Sequence, residues 1–139
     1  MKFDYTVLDG TFERPYAEIR VGHGEHSRRY IVLVDSGADI NVFSAELAVI
    51  LGIDLERGEA LTVRGATGQS ETFYVHPVTV SLGDVTFKTT AAFADVPHLE
   101  LAGLAGQRGF FDRFEISFRF QDGTFALEPE KGLAKPKEP

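Results

Sequence analysis

The sequence predicts an all-β fold with one or two short helices. Three observations carry that expectation. Apolar and polar residues alternate with period two at residues 17–21 and again at 115–120. Asp9-Gly10, Gly83-Asp84 and Asp122-Gly123 sit between apolar runs, where hairpins turn. Only one stretch, residues 45–51, carries the start and stop marks of a well-defined helix.

The elements follow in chain order. Asp9-Gly10 lies between Val7-Leu8 and Thr11-Phe12 and signals a hairpin. Residues 17–21 form a strand, 22–27 a Gly-rich loop, and 29–34 a second strand. The run Ile31-Val32-Leu33-Val34 is continuously apolar, which predicts burial of both faces. Ser44 caps the helix of 45–51, Glu46 lies in its first turn, and Gly52 ends it. Further strands are expected at 61–63, 72–75, 78–82 and 85–93. Residues 65–69 form the tip of one hairpin and Gly83-Asp84 the turn of another. A short helix follows Gly109 at 110–114, and a final hairpin joins 115–120 to 124–127 through Asp122-Gly123. Residues 1–129 read as one domain; the Lys-, Glu- and Pro-rich 130–139 reads as a flexible tail.

Composition narrows the function classes. A chain of 139 residues with 43% apolar residues can bury one core. The net charge of −7 argues against a nucleic-acid partner, which needs a basic face to displace counterions. The only tight basic pair, Arg28-Arg29, reads as a solvated strand end. With no cysteine there is no thiolate chemistry, disulfide or cysteine-held metal, a pattern that fits a cytoplasmic protein. No apolar run is long enough to span a membrane.

The most informative stretch is Leu33-Val34-Asp35-Ser36-Gly37-Ala38-Asp39. A buried strand runs directly into a carboxylate, which places that group at a low-dielectric edge where its proton affinity can be tuned. Ser36 offers a donor and an acceptor to fix the loop. Gly37 allows close backbone approach and an N–H facing the carboxylate. On its own, Asp-Ser-Gly reads more readily as a plain turn after a strand.

Its surroundings shift that balance. The six residues 33–38 resemble the active-site signature of retropepsin-like aspartic peptidases: two apolar residues, Asp, Thr or Ser, Gly, Ala. Ile40-Asn41-Val42-Phe43-Ser44, Leu47-Ala48 and Leu51-Gly52-Ile53 are similar to the strand and helix that follow it in bacterial and cellular members. Gly65, Ala66, Thr67, Gly68 and Gln69 lie where that family carries its flap. Leu104-Ala105-Gly106 is similar to its second apolar-apolar-Gly element, followed by Gly109-Phe110-Phe111-Asp112-Arg113-Phe114 and the last hairpin. The resemblance spans about residues 15–129, with its elements in order. Ser36 stands for the commoner Thr, Ala105 is smaller than the usual branched residue, and the segment at Gln107-Arg108-Gly109 departs in length from the viral pattern.

The resemblance implies a closed acid-protease barrel and endopeptidase activity without metal or other cofactor. It implies Asp35 as the catalytic carboxylate, supported by the loop residues Ser36, Gly37 and Ala38. Substrate would be a peptide or protein bound in extended form against Gly37, Asp39 and the hairpin of residues 65–69. This chemistry uses two carboxylates that share a proton and hold a water, yet the chain has one such signature. No other aspartate is followed by a hydroxyl residue and Gly. A homodimer pairing two Asp35 side chains is therefore expected. The alternatives are a non-catalytic retropepsin-like module that binds peptides or dimerises, and an unrelated small β-barrel binding protein. Asp39 could instead be structural, paired with Arg108 or Arg113.

Other candidates carry less. His23 and His26 have an HxxH spacing, but they lie in a Gly-rich loop, and on a strand or loop that spacing does not point both rings one way, so no metal site is expected. No Gly-x-Ser-x-Gly elbow supports a serine triad. Phe110, Phe111 and Phe114 read as core rather than as a stacking platform.

Overall fold

The computed structural model describes residues 1–64 and 68–133. Among the described residues, ten strands and one α-helix run β1 (Lys2–Asp4), β2 (Tyr16–His23), β3 (His26–Val34), β4 (Val42–Ser44), α1 (Ala45–Ile50), β5 (Glu59–Arg64), β6 (Ser70–Leu82), β7 (Val85–Ala94), β8 (Gly103–Ala105), β9 (Phe114–Arg119) and β10 (Thr124–Pro129). Short 3-10 turns cover Leu55–Arg57, Pro97–Glu100, Phe111–Arg113 and Phe120–Asp122.

The strands β2-β3-β8-β4-β7-β6 pair in that order, and β6 pairs again with β2. The expected all-β closed barrel is therefore present, with six staves. Closure leaves those staves without a free sheet edge. β5 hangs from β6 outside the closed ring as the first arm of a hairpin. A second sheet, β1-β10-β9, joins the two ends of the chain.

Strand patterns explain the packing. In β2, Ala17, Ile19 and Val21 face the core while Glu18 and Arg20 face solvent. β3 differs from the expectation of two buried faces: Val32 and Val34 are buried, but Ile31 and Leu33 are only partly covered. The interior holds Phe43, Phe93, Leu51, Val32 and Val80, with Phe110 and Phe114 against Phe87 at one end. Each such ring contributes about 2–3 kcal/mol by leaving water. In α1, Ser44 accepts the Glu46 N–H at 3.1 Å and Gly52 follows at φ 73.

Several expectations shift. The loop at 22–27 shrinks to Gly24-Glu25 because β2 and β3 pair as far as His23↔His26; Gly24, at φ 58, supplies the turn. The hairpin expected at Asp9-Gly10 is a wider loop closed by Thr6↔Arg14. Residues 72–75 and 78–82 are one strand, β6, running through Pro77. The proline is tolerated because β5 pairs with β6 only up to Val75 and β2 begins at Thr79. At Pro77 only β7 is a neighbour, so the missing N–H leaves no bond unmade on the other side. After β10, the Glu130 N–H donates to Arg113 O at 2.9 Å and Leu133 packs on the core. Residues 134–139 lie outside the described residues.

Candidate active site

β8 lies between β3 and β4, parallel to β3 and antiparallel to β4. The connection from β3 to β4, residues 35–41, must therefore arch across the end of β8. That arch carries Asp35. Its backbone N–H donates to Ala105 O at 3.0 Å, which continues the β3–β8 ladder one step past the strand. The arch is then clamped twice more to the chain leaving β8. Gln107 N–H donates to Ala38 O at 2.8 Å, and Arg108 N–H donates to Asp39 O at 2.9 Å.

The arch approaches the chain closely at Gly106. A Cβ there would collide with the backbone of Ile40 and Ala38. Gly106 is thus required by space, which gives Leu104-Ala105-Gly106 a structural reason beyond resemblance. Asn41 completes the clamp. Its side chain is 2% exposed, accepts the Gly106 N–H at Oδ1 (3.0 Å) and donates from Nδ2 to Thr90 O (3.0 Å). Its backbone O accepts the Ala92 N–H at 2.9 Å. One amide thereby ties the arch to both β7 and β8.

Within the arch, Asp35 O accepts the Ala38 N–H at 3.1 Å, closing a tight turn. The Gly37 N–H donates to Asp35 Oδ1 at 2.9 Å, so one carboxylate oxygen is oriented by the backbone. Asp35 is partly buried, whereas Ser36, Gly37 and Asp39 are exposed. The Ser36 O accepts from Gln107 Nε2 at 2.7 Å, while its hydroxyl makes no hydrogen bond among the described residues. The pairing considered for Asp39 is not seen: Arg113 pairs with Asp112 at 3.2 Å, and Asp39 makes no ion pair among the described residues.

One depression lies beside the strands that lead into the arch, and a second borders the arch itself. Val32 and Val34 face the core, so Leu33 and Asp35 share the opposite face. Leu33 lines a groove of about 260 Å³ with Leu104, Tyr16 and Leu101, rimmed by Arg14, Asp9 and His98. On the other side, Ile40 borders a pocket of about 250 Å³ between β5 and β7. Of the hairpin tip, Gly65, Ala66 and Thr67 lie outside the described residues. Gly68 and Gln69 lead into β6, and both arms, β5 and the start of β6, are largely exposed.

Sequence reasoning did not single out Asn41 as a support. Its signal was an amide inside the apolar run Ile40-Asn41-Val42-Phe43, a place where an amide must find partners. His76 was also passed over. It is buried, and its Nε2 lies 2.7 Å from Leu55 O, pinning the turn before β5 to β6. His23 and His26 turn out to be direct cross-strand neighbours, so their side chains leave the same sheet face, contrary to the argument made from spacing. No third metal-ligating side chain joins them among the described residues.

A family model described as aspartyl protease matches residues 17–108, more than half of the chain and the whole arch with its clamp. No curated protein matches the chain.

Proposed function

The chain belongs to the aspartyl protease family, and we propose that it is an endopeptidase in which Asp35 of two copies forms the catalytic pair. The observation that carries this reading is the arch itself. It holds a single, partly buried carboxylate at the end of a core strand, with one oxygen oriented by the Gly37 N–H and the backbone fixed by β8.

One carboxylate cannot both take a proton from water and give one to the peptide carbonyl in the same step. Two carboxylates about 3 Å apart share a proton because both cannot ionise readily, so one acts as base and the other as acid. The first takes a proton from the water as its oxygen bonds to the carbonyl carbon; the second protonates the carbonyl oxygen. Collapse of that tetrahedral species breaks the C–N bond, and the departing amine takes a proton. The exposed Ser36 hydroxyl stands ready to bond the partner's arch. Gly37 and Asp39 face an extended substrate, and the arms β5 and β6 lie over it.

Asp35→Asn tests the catalytic role. Cleavage of a diverse peptide library should fall by roughly a thousandfold, with the melting temperature nearly unchanged because Asn keeps an oxygen to accept the Gly37 N–H. Unchanged cleavage would end the reading of Asp35. Sedimentation at the assay concentration tests the pairing: active protein should run as a dimer, and an active monomer would exclude it.

A further inference from the structure

The pocket on the β4–β7 side of the arch holds a charge that the proposed chemistry does not use. Its walls are Ile40, Leu61, Val75 and Ala92, and its polar members are Thr90 and Glu59. Ile40 sits at the end of the arch, bridged to Arg108, so the backbone that fixes Asp35 also fixes one wall of this pocket. The register defines the rest. Glu59 pairs with Val75, and Val75 with Ala92, so these three side chains leave one face of the sheet, and Leu61 leaves it two residues further along β5. The result is an apolar slot with a carboxylate beside it. Glu59 forms no ion pair among the described residues.

An apolar slot with one carboxylate beside it is complementary to a long aliphatic stem with a cationic head. We infer that this pocket receives a lysine or arginine side chain of the substrate and that Glu59 determines the preference. The inference rests on the peptidase reading, because it needs a peptide lying between the arch and the β5–β6 hairpin. An extended peptide sends alternate side chains to opposite sides, so one of them can enter the slot. The net charge of −7 attracts cations at every substrate position. The slot acts at a single one, and that difference makes the effect separable.

A random peptide pool passed over immobilised Asp35→Asn protein reads this without requiring cleavage. Mass spectrometry of the retained peptides should show Lys and Arg enriched about fivefold at one position relative to their neighbours, the size of a partly exposed ion pair. The Asp35→Asn/Glu59→Lys protein should lose that enrichment and favour Asp or Glu at the same position. Cleavage by the otherwise unaltered chain should show the same bias, and Glu59→Gln should lower the ratio of kcat/KM for Lys-containing over Met-containing peptides. A retained pool with no basic preference at any position, or one that Glu59→Lys leaves unchanged, overturns the inference. Lack of cleavage by the unaltered chain, with the retained-pool bias intact, would count against the peptidase reading and not against Glu59.

Discussion

The arch that carries Asp35 and the hairpin formed by β5 and β6 are built on opposite terms. The arch is short and pinned at several points: Asp35 to Ala105, Ala38 to Gln107 and Asp39 to Arg108 through the backbone, and Asn41 to Ala92 through its backbone and to Gly106 and Thr90 through its side chain. The hairpin pairs from Glu59↔Val75 to Arg64↔Ser70, and beyond Tyr74 and Val75, which also pair with β7, its arms pair only with each other. Residues 59–63 are all exposed. A reacting carboxylate gains from being held still before substrate arrives. A cover must yield to let substrate in, and a segment with few buried contacts opens at little cost. The same sheet supplies both because β6 is longer than the barrel needs. Residues 74–82 pair with β7 as a stave, and residues 70–73 project beyond that pairing.

Apart from Asp35 itself, mutations should therefore cost stability in the arch and function in the hairpin. The largest expected loss is at Asn41. Asn41→Ala removes the acceptor of the buried Gly106 N–H and the donor to Thr90 O, leaving one buried N–H and one partly buried carbonyl unpaired. The expected cost is about 3 kcal/mol, visible as a lower urea midpoint. A change below about 0.5 kcal/mol would mean that the backbone clamps suffice without the amide.

A second brace acts on the strand leaving the arch. The buried Tyr30 hydroxyl donates to Leu99 O at 2.8 Å and accepts the Ser44 N–H at 3.0 Å, joining β3, β4 and the turn before β8. Tyr30→Phe keeps the ring packing on Phe43 and loses both bonds, an expected cost of about 1–2 kcal/mol. Burial raises the phenol pKa above its ordinary value, and the Ser44 N–H only partly offsets this. The folded state thus keeps a proton that the unfolded chain releases above about pH 10. Where the unfolded state binds fewer protons, stability falls as pH rises. This contribution is complete below about pH 10 and is lost progressively above it. Denaturant titrations from neutral pH upward should show the decline, and Tyr30→Phe should flatten it.

The legibility of the two regions differs for a physical reason. The arch was readable because its signals are local: an apolar strand, then Asp35-Ser36-Gly37, then a capped helix. Turns marked by Gly83 and Gly123 and the alternation of β2 were local too. What stayed hidden depends on distant partners. β1 has no distinguishing pattern and exists because Phe3 stacks on Phe125 across 5.2 Å, more than a hundred residues away. β8 is three residues long and is a strand only because β3 and β4 lie on either side of it. Pro77 looked like a strand break, since the sequence does not show that β5 ends before it and β2 begins after it.

The smallest expected change in stability lies in the hairpin, at Val63. Its side chain is 38% exposed, on the same face of β5 as Glu59 and Leu61. In the free chain Val63→Ser should alter stability by no more than about 0.5 kcal/mol, because little apolar surface leaves the core. In the proposed complex that face would lie over the substrate, and losing the two methyl groups there would remove about 1.5 kcal/mol of burial. The expected result is a fall in kcat/KM of about tenfold, mostly as a higher KM, with an unchanged melting curve. If stability and kcat/KM fell together, the hairpin would be part of the scaffold rather than its cover. If neither moved, this face of β5 would not touch substrate, and the closing motion would have to be carried by the β6 arm alone.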